Sequence, residues 1–289
     1  KIEIALEKSK KKSLLNFENN KKLFSIIKNY ELYNLLDKNL KKNKFFKKKK
    51  LSLNNSFYEN SEIIINCDPR SELTKKFFYK KIKKKYESIA YVTIIKHKKI
   101  KNSIGYQIFT KFGPIAFLPL SEFETSIVYS VKKNEKLGLN DIIDLVKKYN
   151  PKYYITKFEK IENFELTLSN LRSYSHKNIL AFGDLLHRVH PLAGQGFNMS
   201  IRDLKELSKI IKNKINLGLV VDRSICSEFE KKLKHKNFLF SSGIDFVYEF
   251  FNFESKMKNN QLAKAIKFFG KKKSLTNFLT TIADDGLLY

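Results

Sequence analysis

Hydrophobic positions along the chain change period several times, and each change predicts an element. Ile63-Ile64-Ile65 is a short apolar run of strand length, and Ile179-Leu180-Ala181-Phe182 is another, both reading as buried strands. Between them, residues 89–95, 104–110, 115–120 and 125–131 are β-rich and separated by polar or Gly-Pro turns, which predicts an antiparallel sheet. Helical spacing predicts an amphipathic helix within residues 20–40, carried by Leu23, Ile26, Ile27, Tyr30, Leu35 and Leu36. Asn140-Asp141 caps a predicted helix running through Lys148. Phe197, Ile201, Leu204, Leu207 and Ile211 predict another helix and its core face. After Lys212 the chain reads as helical to its end, with Phe229, Leu233, Phe240, Phe246, Phe250 and Phe251 among its apolar positions. Residues 158–174 carry the chain back towards the strand at 179, with no element assigned. The fold class is therefore mixed, α/β with an α+β portion.

Composition narrows the picture. A chain of 289 residues that is 42% hydrophobic can bury a core of one large or two small domains. The net charge of +28 points towards polyanions, but the kind of cation argues otherwise. Of 57 basic residues, the arginines are Arg70, Arg172, Arg188, Arg202 and Arg223, and the rest are lysine. Base and phosphate recognition leans on arginine's planar fork, so nucleic-acid binding is not expected. Lysines do add attraction to acidic lipid, and the aromatic stretch 238–253 is a second candidate for membrane or partner contact. The basic run 41–50 around Phe45-Phe46 reads as a solvated loop. Cys67 and Cys226 form no metal spacing or disulfide framework, no metal site is expected, and no apolar run is long enough to span a bilayer. The expected location is cytoplasmic, with peripheral contact at an inner membrane as the alternative.

The chemistry concentrates at 183–203. Gly183-Asp184 ends the predicted strand, Pro191 and Gly194-Gln195-Gly196 form a bend, and a helix follows. Three of the 10 glycines lie in this short stretch. Glycine before a helix start leaves backbone N–H groups and a positive dipole end open to a negative ligand group.

Gly183, Asp184 and His187, followed by His190, Pro191, Leu192, Ala193, Gly194, Gln195, Gly196, Asn198 and Asp203, closely match a family pattern. It resembles the flavin motif of the ubiquinone-biosynthesis FAD-dependent aromatic hydroxylases, with Ser200 where that family has Gly. A second run, Gln107-Ile108-Phe109-Thr110 through Gly113-Pro114 to Leu118-Pro119-Leu120, is similar to the same family. The resemblance implies the remainder of a FAD-binding, Rossmann-like domain at 1–80 and 176–215. It also implies an inserted antiparallel substrate sheet at 81–175 and a helical cap at 216–289, the para-hydroxybenzoate-hydroxylase-like arrangement. FAD would be contacted by Gly183, Asp184, Pro191, Leu192, Ala193, Gly194, Gln195, Gly196, Phe197 and Asn198. Gln107, Phe109 and Pro119 would line the substrate side. No residue is named as catalytic acid or base, and His187 and His190 are read equally as orienting the loop by hydrogen bonds or as touching the chemistry.

The implied activity is hydroxylation of a polyprenylated phenol in ubiquinone biosynthesis, using O₂ and NAD(P)H or another electron donor. The alternative is a non-catalytic scaffold subunit of a quinone-synthesis complex. Asp68 stands where the family has an Asp-Gly turn, but Pro69 replaces the glycine and removes a backbone donor, with Lys75 in place of an arginine. The glycine-rich pyrophosphate motif of the family has no counterpart in residues 1–60. The chain is accordingly expected to be N-terminally truncated relative to the family, and its FAD binding weak.

Overall fold

The computed structural model describes residues 1–7, 15–17, 24–49, 61–135, 137–191 and 194–256. Two sheets organise them. The larger has nine strands, with the order β12-β9-β4-β7-β6-β5-β1-β2 and β8 pairing with β4. Its strands are β1 (Ile2–Leu6), β2 (Leu15–Phe17), β4 (Lys81–His97), β5 (Gly105–Thr110), β6 (Gly113–Pro119), β7 (Glu124–Lys132), β8 (Ile155–Phe158), β9 (Glu162–Leu171) and β12 (His187–Arg188). The smaller sheet is β10-β11-β3, made of Ser175–His176, Ile179–Ala181 and Ile64–Asn66. There β11 runs parallel to β3.

The meander β4 to β7 follows the predicted antiparallel pattern, paired from Ser88↔Lys132 through Ile115↔Tyr129 to Ile108↔Ile115. Alternation separates its two faces. Ile95, Ile115, Phe117, Ile127, Tyr129 and Val131 pack on one side against helix α3 (Leu139–Tyr149), whose Ile142, Val146 and Tyr149 are buried. Ala90 and Tyr86 point to the other side and pack with Leu166, Leu168 and Tyr248 of the last helix, α5 (Ser224–Lys256). That helix also supplies Ile225, Cys226, Phe229 and Leu233 to the core under the small sheet, so a single element seals both layers. Helix α4 (Gln195–Asn216) adds Leu207 and Ile210 to the same core.

Several expectations change. β4 begins at Lys81, well before the apolar run, because its lysine-rich start pairs with β9 from Lys81↔Leu171 to Lys85↔Thr167. Backbone bonding, rather than side-chain pattern, extends the strand. Residues 155–171, given no element from the sequence, form β8 and β9. Residues 2–6, also unassigned, pair in parallel with β5 and so extend the large sheet. The helix expected within 20–40 is α1 (Asn29–Leu40), and its apolar side chains are not buried. Lys28, just ahead of it, is tied to Glu124 at 2.8 Å. Leu23, Leu192, Ala193 and the predicted helical stretch beyond 256 lie outside the described residues. The short helix α2 (Glu72–Phe77) is capped by Ser71, which accepts from the Thr74 N–H at 3.2 Å.

Candidate flavin site

The 183–203 stretch joins the two sheets. β11, buried throughout, belongs to the small sheet, and β12 is an edge strand of the large one. A 3₁₀ turn, Gly183–Leu185, connects them and packs against α4. Gly183 has φ 64° and Gly194 φ 66°, both in the left-handed region, and among the described residues beyond the chain neighbours neither has an atom within 4 Å of where a Cβ would stand. Both bends thus need glycine for their backbone and leave room beside it. α4 begins immediately after Gly194, so its first-turn N–H groups lie next to that room. Asp184 is exposed at the 3₁₀ turn, and Phe197 and Asn198 are exposed on the first turn of α4. Gln195 carries a buried Oε1 with no hydrogen-bond partner among the described residues.

The two histidines are held differently. His187 donates from Nε2 to Asp203 Oδ2 at 2.6 Å, and both side chains are fully buried. Asn237 of α5 donates from Nδ2 to the other Asp203 oxygen at 3.0 Å. His190 is buried between two tyrosine rings, stacked on Tyr248 at 4.1 Å and edge-on to Tyr86 at 5.2 Å. Burial pushes its pKa down to about 3, only weakly opposed by Asp245. It is neutral at neutral and mildly acidic pH. Tyr86 donates to Asp245 at 2.8 Å, and Lys84 bridges Asp245 and Glu249 at 3.0 and 2.8 Å. Burial, then the Asp245 hydrogen bond, pushes the Tyr86 phenol well above its ordinary range.

Of the apolar positions at helical spacing, Leu207 and Ile211 reach the core. Phe197, Ile201 and Leu204 are exposed, while Met199, Asp203, Leu207 and Ile210 face inward. An acidic residue in the core face broke the hydrophobic period, and its pairing with His187 is what makes that face acceptable. The substrate-side residues also divide. Gln107 and Phe109 are buried on the face of the large sheet that carries Ala90, towards α5. Pro119 alternates with Ile115 and Phe117 and lies on the opposite face, the one covered by α3. The sheet therefore brings together two of the three.

Together these features are a glycine bend at a helix start, an exposed carboxylate on the neighbouring turn, and a buried aromatic cluster around His190 just ahead of the bend. Residues 132–216 match the FAD binding domain family. Similarity extends further among curated proteins. The chain is 28% identical over 155 residues to the 3-demethoxyubiquinol 3-hydroxylase of Escherichia coli (strain K12), covering 51% of this chain and 39% of that protein. It is 27% identical over 184 residues to the ubiquinone biosynthesis monooxygenase COQ6 of Dictyostelium discoideum, covering 50% and 37%. The chain thus spans about two fifths of the length of these relatives. Among solved structures, the p-nitrophenol 4-monooxygenase of Pseudomonas putida DLL-E4 superposes with a TM-score of 0.61 at 11% identity, over 77% of this chain and 59% of that one. An anhydrotetracycline hydroxylase from Streptomyces rimosus gives 0.55 at 12% identity, over 77% and 46%. At such identity the superpositions establish the fold alone, the mixed α/β arrangement shared with these two enzymes.

The Asp68-Pro69 turn is engaged with itself. The Asp68 carboxylate accepts from the Arg70 N–H at 2.8 Å, and its carbonyl accepts from the Thr74 hydroxyl at 2.7 Å. Lys75 lies on α2, at the wall of a separate cleft of about 1060 Å³ that also includes Phe77, His176 and Arg223. That cleft lies at the Ser61 and Asn178 end of β3 and β11, opposite the Gly183 end. No cluster of metal-ligating side chains occurs among the described residues. Cys67 and Cys226 are both free thiols.

Proposed function

We propose that this chain carries the ring-binding part of a flavin-dependent monooxygenase that hydroxylates a polyprenylated phenol in ubiquinone biosynthesis. The observation that carries the reading is the pair of left-handed glycines open on their Cβ side, Gly194 at the start of α4 and Gly183 in the 3₁₀ turn packed against that helix. A bulky planar group with a negatively charged edge suits that geometry. Asp184 would accept from a ribityl hydroxyl, and the segment from Pro191 to Asn198, with Leu192, Ala193, Gly194, Gln195, Gly196 and Phe197, would lie along the ring. Bound FAD, reduced by NAD(P)H or another donor, would supply the oxygen-transfer chemistry with O₂. The chain's own contribution is to orient, to exclude water and to stabilise charge. The first-turn N–H groups of α4 would favour an anionic reduced ring, and the buried cluster of Tyr86, His190 and Tyr248 just ahead of the bend would help keep water out. On the substrate side, Gln107 and Phe109 on the α5-facing side of the sheet remain the better candidates, ahead of Pro119.

The test is titration of the purified chain with FAD, followed by quenching of flavin fluorescence. Saturable one-to-one binding is expected, and no quenching at millimolar flavin sinks the reading. Product formation from a prenylated phenol by the reduced complex then separates an enzyme from a scaffold subunit of a quinone-synthesis assembly.

A second reading concerns where the protein works. α1 exposes Tyr30, Tyr33, Leu35, Leu36 and Leu40, followed by Phe45 at 82% exposure. Lys41, Lys42, Lys44, Lys47, Lys48 and Lys49 flank Phe45 along the chain and are exposed, with Lys44 over its ring at 5.0 Å. Apolar side chains flanked by lysines suit peripheral contact with an acidic bilayer, where a polyprenyl chain would reside. No described helix is long and apolar enough to cross a membrane. Sedimentation with anionic vesicles, lost in high salt and absent with neutral vesicles, is expected. Equal binding to both vesicle types, or to neither, rejects this reading.

A further inference from the structure

His187, Asp203, Asn237 and Tyr174 form one buried polar cluster. The Asp203 carboxylate accepts from His187 at 2.6 Å and from Asn237 at 3.0 Å, and the buried Tyr174 lies alongside the pair. Relative exposures are 2%, 0%, 7% and 2%. The four residues come from β12, α4, α5 and the turn ahead of β10. An apolar cluster of similar volume would hold these elements as firmly. What a carboxylate with two donors adds is direction, since its oxygens accept along defined lines.

We propose that Asp203 and Asn237 are positioning residues for the flavin ring, acting through His187 and through the rotation of α4. The inference rests on the flavin reading above. Asp203 lies two turns into α4, on the face that carries Met199, Leu207 and Ile210 inward. Fixing its rotation about the helix axis fixes where the first-turn N–H groups point. The same carboxylate holds His187, four residues ahead of Pro191, and so anchors the entry to the glycine bend at 194. Gly194 itself offers no side chain to anchor the bend, and among the described residues beyond its chain neighbours no atom lies within 4 Å of where its Cβ would stand. Asn237 extends the clamp to α5, and this makes the C-terminal helix part of the cofactor's support although it need not touch the cofactor.

Asp203→Asn and Asn237→Ala are compared with wild type and with Ile142→Val, a core change on α3 far from the cluster. Two quantities are read: the FAD dissociation constant, and amide hydrogen exchange of residues 194–199 without flavin. The first two variants are expected to weaken FAD by about tenfold or more, as small misplacements of positioning groups do. They should also speed exchange at 194–199. Ile142→Val should change neither. The two cluster changes combined should cost less than their sum, because they act through one carboxylate. If wild type binds FAD and the folded variants bind equally well, the positioning role is overturned and the flavin reading stands. If wild type does not bind FAD, the flavin reading fails, and unaltered exchange at 194–199 overturns the positioning role separately. Should Asp203→Asn fail to fold, Asn237→Ala leaves the His187–Asp203 bond in place and decides on the same two readouts.

Discussion

A buried imidazole next to a glycine bend ties stability to pH. His190 is held neutral, with its pKa near 3 against an ordinary value of 6.5. Between those values the unfolded chain binds a proton that the folded chain refuses. Stability from this residue is therefore full above pH 6.5 and falls as pH drops towards 3, with a limiting slope of about 1.4 kcal/mol per pH unit. His190→Phe, which keeps the stack on Tyr248, is expected to lessen that acid sensitivity. Urea midpoints measured from pH 7 to 4.5 for both proteins give the difference, and parallel curves would reject the assignment. Gly194 is the companion case. At φ 66° an added Cβ meets no atom of the described residues beyond its chain neighbours, so Gly194→Ala tests mainly backbone strain. A loss of about 1 kcal/mol is expected from the left-handed conformation, read by chemical denaturation, together with weaker FAD binding.

Within elements, backbone bonding and helix rotation decide what periodicity leaves open. The turn joining β5 to β6 shows the first. Gly113 has φ 139°, and a Cβ there would stand 2.1 Å from the Ser130 carbonyl oxygen on β7. Gly113→Ala must push β6 from β7 and should cost about 3 kcal/mol or more, read as a lowered thermal midpoint. Helix α4 shows the second. Phe197, Ile201 and Leu204 repeat at helical spacing yet are 55%, 48% and 52% exposed. Ile201→Gln is expected to change stability by less than about 0.5 kcal/mol, whereas Leu207→Ala should cost about 2–5 kcal/mol. The opposite order in a denaturation experiment would mean that the helix is turned the other way.

Across the whole molecule, α5 is the element on which the layers depend. Its Phe229 and Leu233 fill the core under the small sheet, its Asn237 reaches Asp203, and its Tyr248 covers His190 and Ala90. Its Asp245 meets Lys84 and Tyr86 of β4. Phe229→Ala should therefore lower stability by about 3–5 kcal/mol, with fluorescence and circular dichroism melting together. Separate transitions for the two sheets would show that α5 does not couple them.

The residues themselves determined the strand at 179–181, the glycine bend, the helix behind it and the antiparallel meander, because each is written in short-range period and in glycine or proline placement. Glycine at 183 and 194 was legible for the same reason, since left-handed backbone is a local demand. Strands β1, β8, β9 and the lysine-rich start of β4 were not legible, because their membership depends on hydrogen bonds to partners distant along the chain. Nor could spacing show that Asp203 faces inward to His187, or that Pro119 lies across the sheet from Gln107 and Phe109. Those are matters of helix rotation and of strand register, which only packing between remote segments fixes.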